Sequence, residues 1–294
     1  MRPPATELAE LDGHRIEYRL TGPAPASGSG PHRPLAVVLH GGHMSARCRF
    51  GEEVYRAAGF AVLVVSRPGY GRTAADAGPS APEFAVRVAG LIRRLGFDGP
   101  VTAVGISIGA RSALTLAAYA PELVDRVILI SPVGFGEWPR PRLRRIARIV
   151  FRPSTQQFTW AVVHGMLRRN PGQALPRLIT SLSTLPGDEA VRRLGADASA
   201  AADFLLSCRS AAGFMIDLRP PTDVAAKVHQ PVLIVATRAD AAVAWDDHPA
   251  RLAATLPTAR VVDSEAPTHL LWLGDRAAEV DMIIRAFLTD PRPA

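Results

Sequence analysis

A serine between two glycines lies near the middle of the chain, where the sequence GISIG spans residues 105–109. The preceding run, PVTAVG, is apolar and β-branched, whereas the following ARSALTLAAYA has a helical composition. Ser107 is therefore predicted to lie on a tight strand-to-helix turn, which exposes its hydroxyl and requires small residues at positions 105 and 109. A serine is a poor nucleophile unless a base and an oxyanion site assist it. The pentapeptide thus predicts nucleophilic catalysis on condition that the chain supplies both.

An oxyanion site needs two backbone N–H groups, and the sequence offers a source for each. Ile108 follows the serine at the predicted start of a helix, where N–H groups are unpaired. The stretch LHGGHMS, residues 39–45, follows an apolar run, and its glycines permit close backbone approach. We expect Gly42 to supply the second N–H group, with the adjacent His43 as the alternative.

The base and the acid that orients it are expected near the carboxyl end of the chain. His269, in SEAPTHLL, follows the last predicted strand and precedes the last predicted helix, where a loop can carry it back to Ser107. Asp240, in VATRADAAV, follows the run PVLIVA, and the order Ser107, Asp240, His269 suits this sheet topology. Three other aspartates are weaker candidates for the acid: Asp246, Asp247 and Asp263.

Alternating strand and helix patterns must position these residues. Several of the strand patterns are continuously apolar, as in a parallel sheet that is covered on both faces. This alternation predicts an α/β fold with a doubly wound, mostly parallel sheet, whose antiparallel edge is a hairpin turning at Asp12-Gly13. The strand patterns cover residues 8–20 (the hairpin), 34–40, 60–66, 100–105, 126–131, 231–236 and 259–264.

Residues 134–228 interrupt this alternation with Arg-rich and Ala-rich helical runs punctuated by prolines. We interpret them as a helical cap or lid inserted into a core formed by residues 1–133 and 229–294. Within the cap, Ser154 and Gln157 match a capping box that would open a helix. Candidate substrate-binding residues are His43, Trp160, Phe214 and Met215, and Phe158 and Phe204 are further residues that could line an apolar pocket.

The densest basic cluster, PRPRLRRIARIVFRP at residues 139–153, has apolar residues at helical spacing. Leu143, Ile146, Ala147 and Val150 form a stripe, and most of the arginines lie off it. This pattern predicts an amphipathic helix with a solvated basic face. Contact with a membrane surface or an acidic substrate is the alternative.

Taken together, LHGG, SRPGYGRT at residues 66–73, GISIG, PVLIVATRAD and the terminal TH resemble the α/β-hydrolase fold superfamily in its single-domain form with a helical cap. The resemblance covers nearly the whole chain. It implies Ser107 as nucleophile, His269 as general base and acid, Asp240 as its orienting acid, and an oxyanion site at Gly42 and Ile108. Relatives that open epoxides or displace halide have an aspartate in place of the serine, so the resemblance argues against both reactions.

The implied activity is hydrolysis of a small-molecule carboxylic ester, lactone or thioester through an acyl-enzyme. Hydrolysis of a carbon-carbon bond in a diketone-like substrate, and cofactor-free perhydrolase or haloperoxidase activity, use the same residues and remain alternatives. A binding protein that kept the fold without the chemistry is a third interpretation, although such proteins normally lack one of the three residues.

The bulk composition bounds the remaining expectations. The 294 residues are 48% hydrophobic and 21% charged, which suits a folded chain with a sizeable core. The formal charge is +7, but the arginines are mostly scattered, so no nucleic-acid partner is expected. A signal peptide and a membrane-spanning run are not evident, and we expect a cytoplasmic protein without integral membrane association. Two distant cysteines, Cys48 and Cys208, and the lack of a phosphate-binding glycine loop predict no disulfide, metal or cofactor. The sequence does not indicate an oligomeric state.

Overall fold

Eight strands form one sheet in the computed structural model, which describes residues 3–22 and 34–290. The strand order is β1-β2-β4-β3-β5-β6-β7-β8. Strand β2 pairs antiparallel with β1 and β4, and all other pairs are parallel. The strands are β1 (Glu7–Leu11), β2 (His14–Thr21), β3 (Leu35–Leu39), β4 (Ala61–Val65), β5 (Val101–Ile106), β6 (Val124–Ile130), β7 (Val232–Ala236) and β8 (Ala259–Asp263).

The apolar runs in the sequence correspond to strands that are covered on both faces. Every residue of β3, β4, β5 and β7 is buried. At the antiparallel edge, Asp12 and Gly13 adopt φ angles of 49° and 78°, the positive values that a two-residue hairpin turn requires. The predicted doubly wound, mostly parallel sheet and its edge hairpin are confirmed.

Helices cover both faces of the sheet and produce two apolar clusters. Helices α2, α3 and α10 enclose one cluster, and α1 and α11 enclose the other. Helix α3 packs on β5 and β6 and therefore lies directly behind the turn that carries Ser107. These helices are α1 (Glu53–Ala57), α2 (Ala81–Arg94), α3 (Gly109–Tyr119), α10 (Pro249–Thr255) and α11 (Ala277–Thr289).

Six further helices lie between β6 and β7, and we call the stretch from α4 through α9 the β6–β7 segment. It has an apolar cluster of its own, to which the loop after β8 contributes Leu270 and Leu273. The division into a core and a cap at residues 134 and 228 stays a prediction. The helices are α4 (Pro141–Val150), α5 (Gln156–Arg169), α6 (Pro171–Ile179), α7 (Gly187–Leu194), α8 (Ala198–Ser207) and α9 (Gly213–Asp217), and short 3-10 turns occupy Gly195–Asp197 and Ala225–Lys227.

The predicted capping box at Ser154 is wrong. Helix α5 begins at Gln156, and the preceding Thr155 makes no capping hydrogen bond, because its hydroxyl donates to carbonyls at the end of α4. A capping box does form at the start of α2, where the Ser80 side chain and the Glu83 side chain each bind the other residue's backbone N–H. No helix in the described part of the chain is both long and apolar enough to cross a bilayer.

Candidate active site

Ser107 lies on a left-handed turn between β5 and α3. Its φ angle is 53°, a conformation that non-glycine residues seldom adopt and that presents the side chain at the end of the sheet. A Cβ atom on Gly105 would lie 2.5 Å from the Ala110 Cα, and one on Gly109 would lie 2.0 Å from the Leu39 carbonyl oxygen. Both glycines are therefore required by the close passage of backbone on either side of the serine.

The end of β6 contacts both the serine turn and the loop that carries His269. The Ser107 amide donates to the Ile130 carbonyl at 2.8 Å, and the Ser131 hydroxyl donates to the His269 carbonyl at 3.1 Å. Asp240 follows β7, and β6 pairs with both β5 and β7. The parallel sheet thus gathers Ser107, Asp240 and His269 at the carboxyl ends of its strands, the edge at which open α/β sheets bind ligands.

Asp240 and His269 form a buried pair. The His269 Nδ1 and Asp240 Oδ2 atoms are 2.5 Å apart. The other carboxylate oxygen, Oδ1, accepts from the amides of Ala242 and Val243 at 2.8 and 2.9 Å, which fixes the orientation of the carboxylate. The His269 amide donates to the Leu182 carbonyl of the β6–β7 segment at 2.8 Å. Backbone amides therefore hold the Asp240 carboxylate, and this carboxylate in turn holds the imidazole of His269.

The three weaker candidates for the acid have other surroundings. Asp247 pairs with Arg140 at 3.1 Å, and Asp263 pairs with Arg238 at 3.2 Å. Asp246 is exposed to solvent. Of the four aspartates considered, Asp240 is the one whose carboxylate contacts His269.

The Ser107 hydroxyl makes no hydrogen bond to His269 in this structure. Ser107 keeps 6% of its surface exposed, so solvent can reach the serine turn. Hydrogen bonds between a nucleophile and its base are often long in unliganded enzymes and tighten when substrate binds. Because Asp240 occupies Nδ1, the free ring nitrogen of His269 is Nε2.

The amides of Gly42 and Ile108 are available as donors. Within residues 3–22 and 34–290, neither N–H group donates a hydrogen bond. A Cβ on Gly41 would lie 3.2 Å from the Ser107 Cβ, and one on Gly42 would lie 3.8 Å from the Ile108 Cγ2. The glycine loop therefore adjoins the serine turn. The alternative donor is the backbone amide of His43, which faces the Tyr70 hydroxyl. Burial raises the pKa of Tyr70, and the interaction with this amide acts in the opposite direction.

His43 is the centre of an aromatic layer beside the glycine loop. Its ring stacks on Phe214 with centroids 4.1 Å apart, and Phe151 and Trp160 lie at 4.5 and 5.3 Å. The Ser210 hydroxyl accepts from the Trp160 Nε1 at 2.8 Å, so its own proton is available to the His43 Nδ1, also at 2.8 Å. Burial lowers the pKa of His43 to about 4, which keeps the ring neutral at pH 7.

The other candidate pocket residues are divided between two places. Met215 packs in the apolar cluster that contains Phe214. Trp160 and Phe204 line a cavity of about 1370 Å³, a cavity whose walls do not include Ser107, Asp240 or His269. The expectation that Phe158 could line a pocket is wrong, because its side chain is 74% exposed.

A buried ion pair that sequence reasoning missed supports the glycine loop from behind. Arg67 donates through two nitrogens to the carboxylate of Asp217 at 2.6 and 2.8 Å, and the Tyr70 hydroxyl donates to the same carboxylate at 2.6 Å. Arg67 also donates to the carbonyls of His40 and Gly41. Burial alone would lower the pKa of Arg67, but the Asp217 carboxylate raises it above its ordinary value. Helix α9 is thereby joined to the loops after β3 and β4.

The residues that the structure describes include no group of three or more histidine, cysteine, aspartate or glutamate side chains arranged to hold a metal ion.

Comparisons with known proteins agree with this architecture. The model of the alpha/beta hydrolase family matches residues 36–281. A Bacillus subtilis (strain 168) protein named uncharacterized hydrolase YcgS is 29% identical over 289 residues, which cover 96% of this chain and 98% of the relative. An alpha/beta hydrolase fold protein from Nakamurella multipartita superposes with a TM-score of 0.74 at 19% identity, covering 97% of this chain and 99% of that one. The esterase RhEst1 from Rhodococcus sp. ECU1013 has a TM-score of 0.68 at 20% identity, covering 97% and 98%. Because the family model spans most of the length, the chain belongs to the alpha/beta hydrolase family.

Proposed function

We propose that this protein hydrolyses carboxylic esters, lactones or thioesters of small molecules through a serine acyl-enzyme. Ser107 is the nucleophile, His269 the general base and then the general acid, and Asp240 the residue that orients the imidazole. The amides of Gly42 and Ile108 form the oxyanion site. The cap formed by residues 134–228 covers the site.

The observation that carries this proposal is the buried hydrogen bond between His269 and Asp240, at the same sheet edge as the left-handed serine turn. A carboxylate bound to Nδ1 fixes the tautomer in which Nε2 accepts a proton. It also stabilises the imidazolium that forms when Ser107 loses its proton.

The reaction then proceeds in two balanced halves. His269 Nε2 removes the proton from the Ser107 hydroxyl as the oxygen attacks the acyl carbonyl, and the two amides hydrogen-bond to the resulting oxyanion. Collapse of this intermediate expels the alcohol or thiol, which takes the proton from His269. Water, deprotonated by the same imidazole, releases the acid and restores Ser107.

The surroundings of the glycine loop favour an apolar acyl group. The rings of Phe214, Phe151 and Trp160 gather on His43, next to the amide of Gly42. Apolar and aromatic walls with few polar groups are typical of small-molecule sites. We expect acyl chains of short to medium length to be accepted.

A serine-to-alanine pair tests the assignment. Ser107→Ala should lower kcat for p-nitrophenyl ester hydrolysis by about 10³-fold or more and prevent labelling by a fluorophosphonate probe. Ser112→Ala is the matched control, because Ser112 lies one turn further along, on helix α3, and its hydroxyl has no role in the proposed chemistry. Equal turnover by the two variants would refute the proposal. A panel of esters, lactones, thioesters and vinylogous diketones then separates the substrate classes.

A further inference from the structure

Helix α4 leaves large apolar side chains in solvent. Ala147 is its one buried residue and packs in the cluster with Tyr70, Phe214 and Leu218. The apolar stripe of the sequence is therefore only partly covered, because Leu143 and Ile146 are exposed whereas Ala147 is buried. Three aliphatic side chains of α4 are more than half exposed, at 56% for Leu143, 57% for Ile146 and 63% for Ile149.

The start of α5 also leaves two apolar side chains in solvent. Phe158 is 74% exposed and Val162 is 45% exposed, and they lie one helical turn apart. Between them in sequence, Thr159 donates its hydroxyl to the Val150 carbonyl at 2.9 Å, which holds α5 against the end of α4. We define the α4–α5 face as Leu143, Ile146, Ile149, Phe158 and Val162, together with the arginines Arg142, Arg145, Arg148 and Arg152.

The arginines of this face have no compensating negative charge. Helix α4, PRLRRIARIV, contains no acidic residue, and the four arginines form no ion pair with any carboxylate of the described residues. Their neighbours Arg140 and Arg144 do form such pairs, with Asp247 and Glu137. The unpaired guanidinium groups are therefore those of the outer face.

Charged and aliphatic side chains alternate along this outer face. Arg142 precedes Ile146 by one helical turn, and Arg145 precedes Ile149 by one turn. An arginine can extend its cationic end toward phosphate groups while its aliphatic stem stays beside an apolar neighbour. Helices that lie in the plane of a membrane interface combine exposed aliphatic and aromatic residues with arginine or lysine.

We propose that the α4–α5 face docks onto an anionic lipid bilayer, with α4 parallel to the surface, its aliphatic side chains among the acyl chains and its arginines at the lipid phosphates. A two-fold dimer through this face would place four unpaired arginines opposite four others, a like-charge arrangement that costs free energy. A nucleic acid would satisfy the arginines but leave the five apolar side chains exposed. The bilayer is the occupant that meets both requirements.

Vesicle sedimentation of the full chain tests this docking. The protein should pellet with vesicles of phosphatidylcholine and phosphatidylglycerol and remain in the supernatant with phosphatidylcholine alone. Raising the salt concentration from about 0.1 M to about 1 M shortens the screening length from about 10 Å to about 3 Å and should release most of the bound protein.

Two double variants separate the charge contribution from the apolar one. Each arginine near an anionic surface contributes about a fivefold gain in partitioning, so Arg145→Gln/Arg148→Gln should lower the partition coefficient about 25-fold. Ile146→Ser/Ile149→Ser should lower it by at least about tenfold without changing its salt dependence. All four side chains are exposed, so circular dichroism should show an unchanged fold.

Matched controls lie on helices that pack on the sheet. Arg56→Gln/Arg285→Gln removes two exposed charges from α1 and α11, and Val86→Ser/Met282→Ser removes two exposed apolar side chains from α2 and α11. Both controls should bind vesicles like the parent protein. Three outcomes would overturn the proposal: equal binding to neutral vesicles, equal losses in the controls, or a parent dimer in size-exclusion chromatography that Ile146→Ser/Ile149→Ser dissociates.

Discussion

Replacing Asp217 with alanine removes the carboxylate that neutralises Arg67 in the interior of the protein. The two side chains are 5% and 6% exposed and share two short hydrogen bonds. In the variant, Arg67 keeps its bonds to the carbonyls of His40 and Gly41, but its buried charge loses this partner. The Tyr70 hydroxyl loses its acceptor at the same time.

The expected cost follows from these contacts. Removing one partner of a buried ion pair costs about 3–5 kcal/mol, because the remaining charge stays desolvated. An unsatisfied buried hydroxyl adds about 1 kcal/mol. The free energy of unfolding should therefore fall by about 4–6 kcal/mol, a large share of the roughly 5–15 kcal/mol that stabilises a typical domain. The midpoint of thermal unfolding should fall by about 6–10 °C, because the entropy of unfolding is about 2.1 cal/mol/K per residue.

Urea unfolding followed by circular dichroism measures this difference. Glu122→Ala is the matched control, since Glu122 pairs with Arg93 on the surface, where the side chains are 63% and 54% exposed and the pair contributes less than about 1 kcal/mol. The double variant Arg67→Met/Asp217→Leu, which leaves no unpaired charge, should recover much of the lost stability. If Asp217→Ala costs no more than Glu122→Ala, the ion pair does not have the role assigned to it.

Other substitutions probe the candidate site and its surroundings. Asp240→Asn should lower kcat for ester hydrolysis by about 10²–10⁴-fold through loss of the productive tautomer, whereas Asp246→Asn should leave it unchanged; the reverse ranking would mean that the acid is misassigned. The pKa of His43 is lowered from 6.5 to about 4 by burial, so the unfolded chain binds a proton before the folded protein does, and stability should decline as the pH falls from 6.5 to 4. His43→Gln should reduce the slope of this part of a plot of urea midpoint against pH, while burial of His40 and His248, which also lowers their pKa values, maintains the remainder; an unchanged slope would contradict the assignment. Gly41→Ala should lower kcat, because the new methyl group would lie 3.1 Å from the Met44 Sδ and 3.2 Å from the Ser107 Cβ. Gly90→Ala, on helix α2 with open space around it, should instead raise the free energy of unfolding by about 0.5–1 kcal/mol with normal kcat, and equal kinetic effects of the two changes would argue against crowding at the serine.

The sheet could be predicted from the sequence because its signals are local. A strand buried on both faces is an unbroken apolar run, as in LAVVL and VLIVA, and the Asp12-Gly13 pair specifies the edge hairpin. The same runs place Asp240 and His269 after strands. The contact between them could therefore be predicted as soon as the sheet was assumed to be parallel.

The support behind the glycine loop could not be predicted in this way. Arg67 lies 150 positions before Asp217, and Tyr70 lies 147 positions before it, so no local pattern relates the three residues. Helical periodicity likewise identified the apolar stripe of α4 but not how much of it a neighbour covers. Ala147 is buried, whereas Leu143 and Ile146 stay exposed, because tertiary packing decides coverage.

The distribution of the proposed triad over β5, β7 and β8 has a consequence for the kinetics of refolding. Ser107, Asp240 and His269 come together through pairings between segments that are distant in sequence, and such contacts form slowly. The far-ultraviolet circular dichroism signal can return as soon as the helices re-form, but hydrolysis of an ester requires that the last strand has joined the sheet. The rate at which ester hydrolysis returns during refolding therefore reports when β8 joins the sheet.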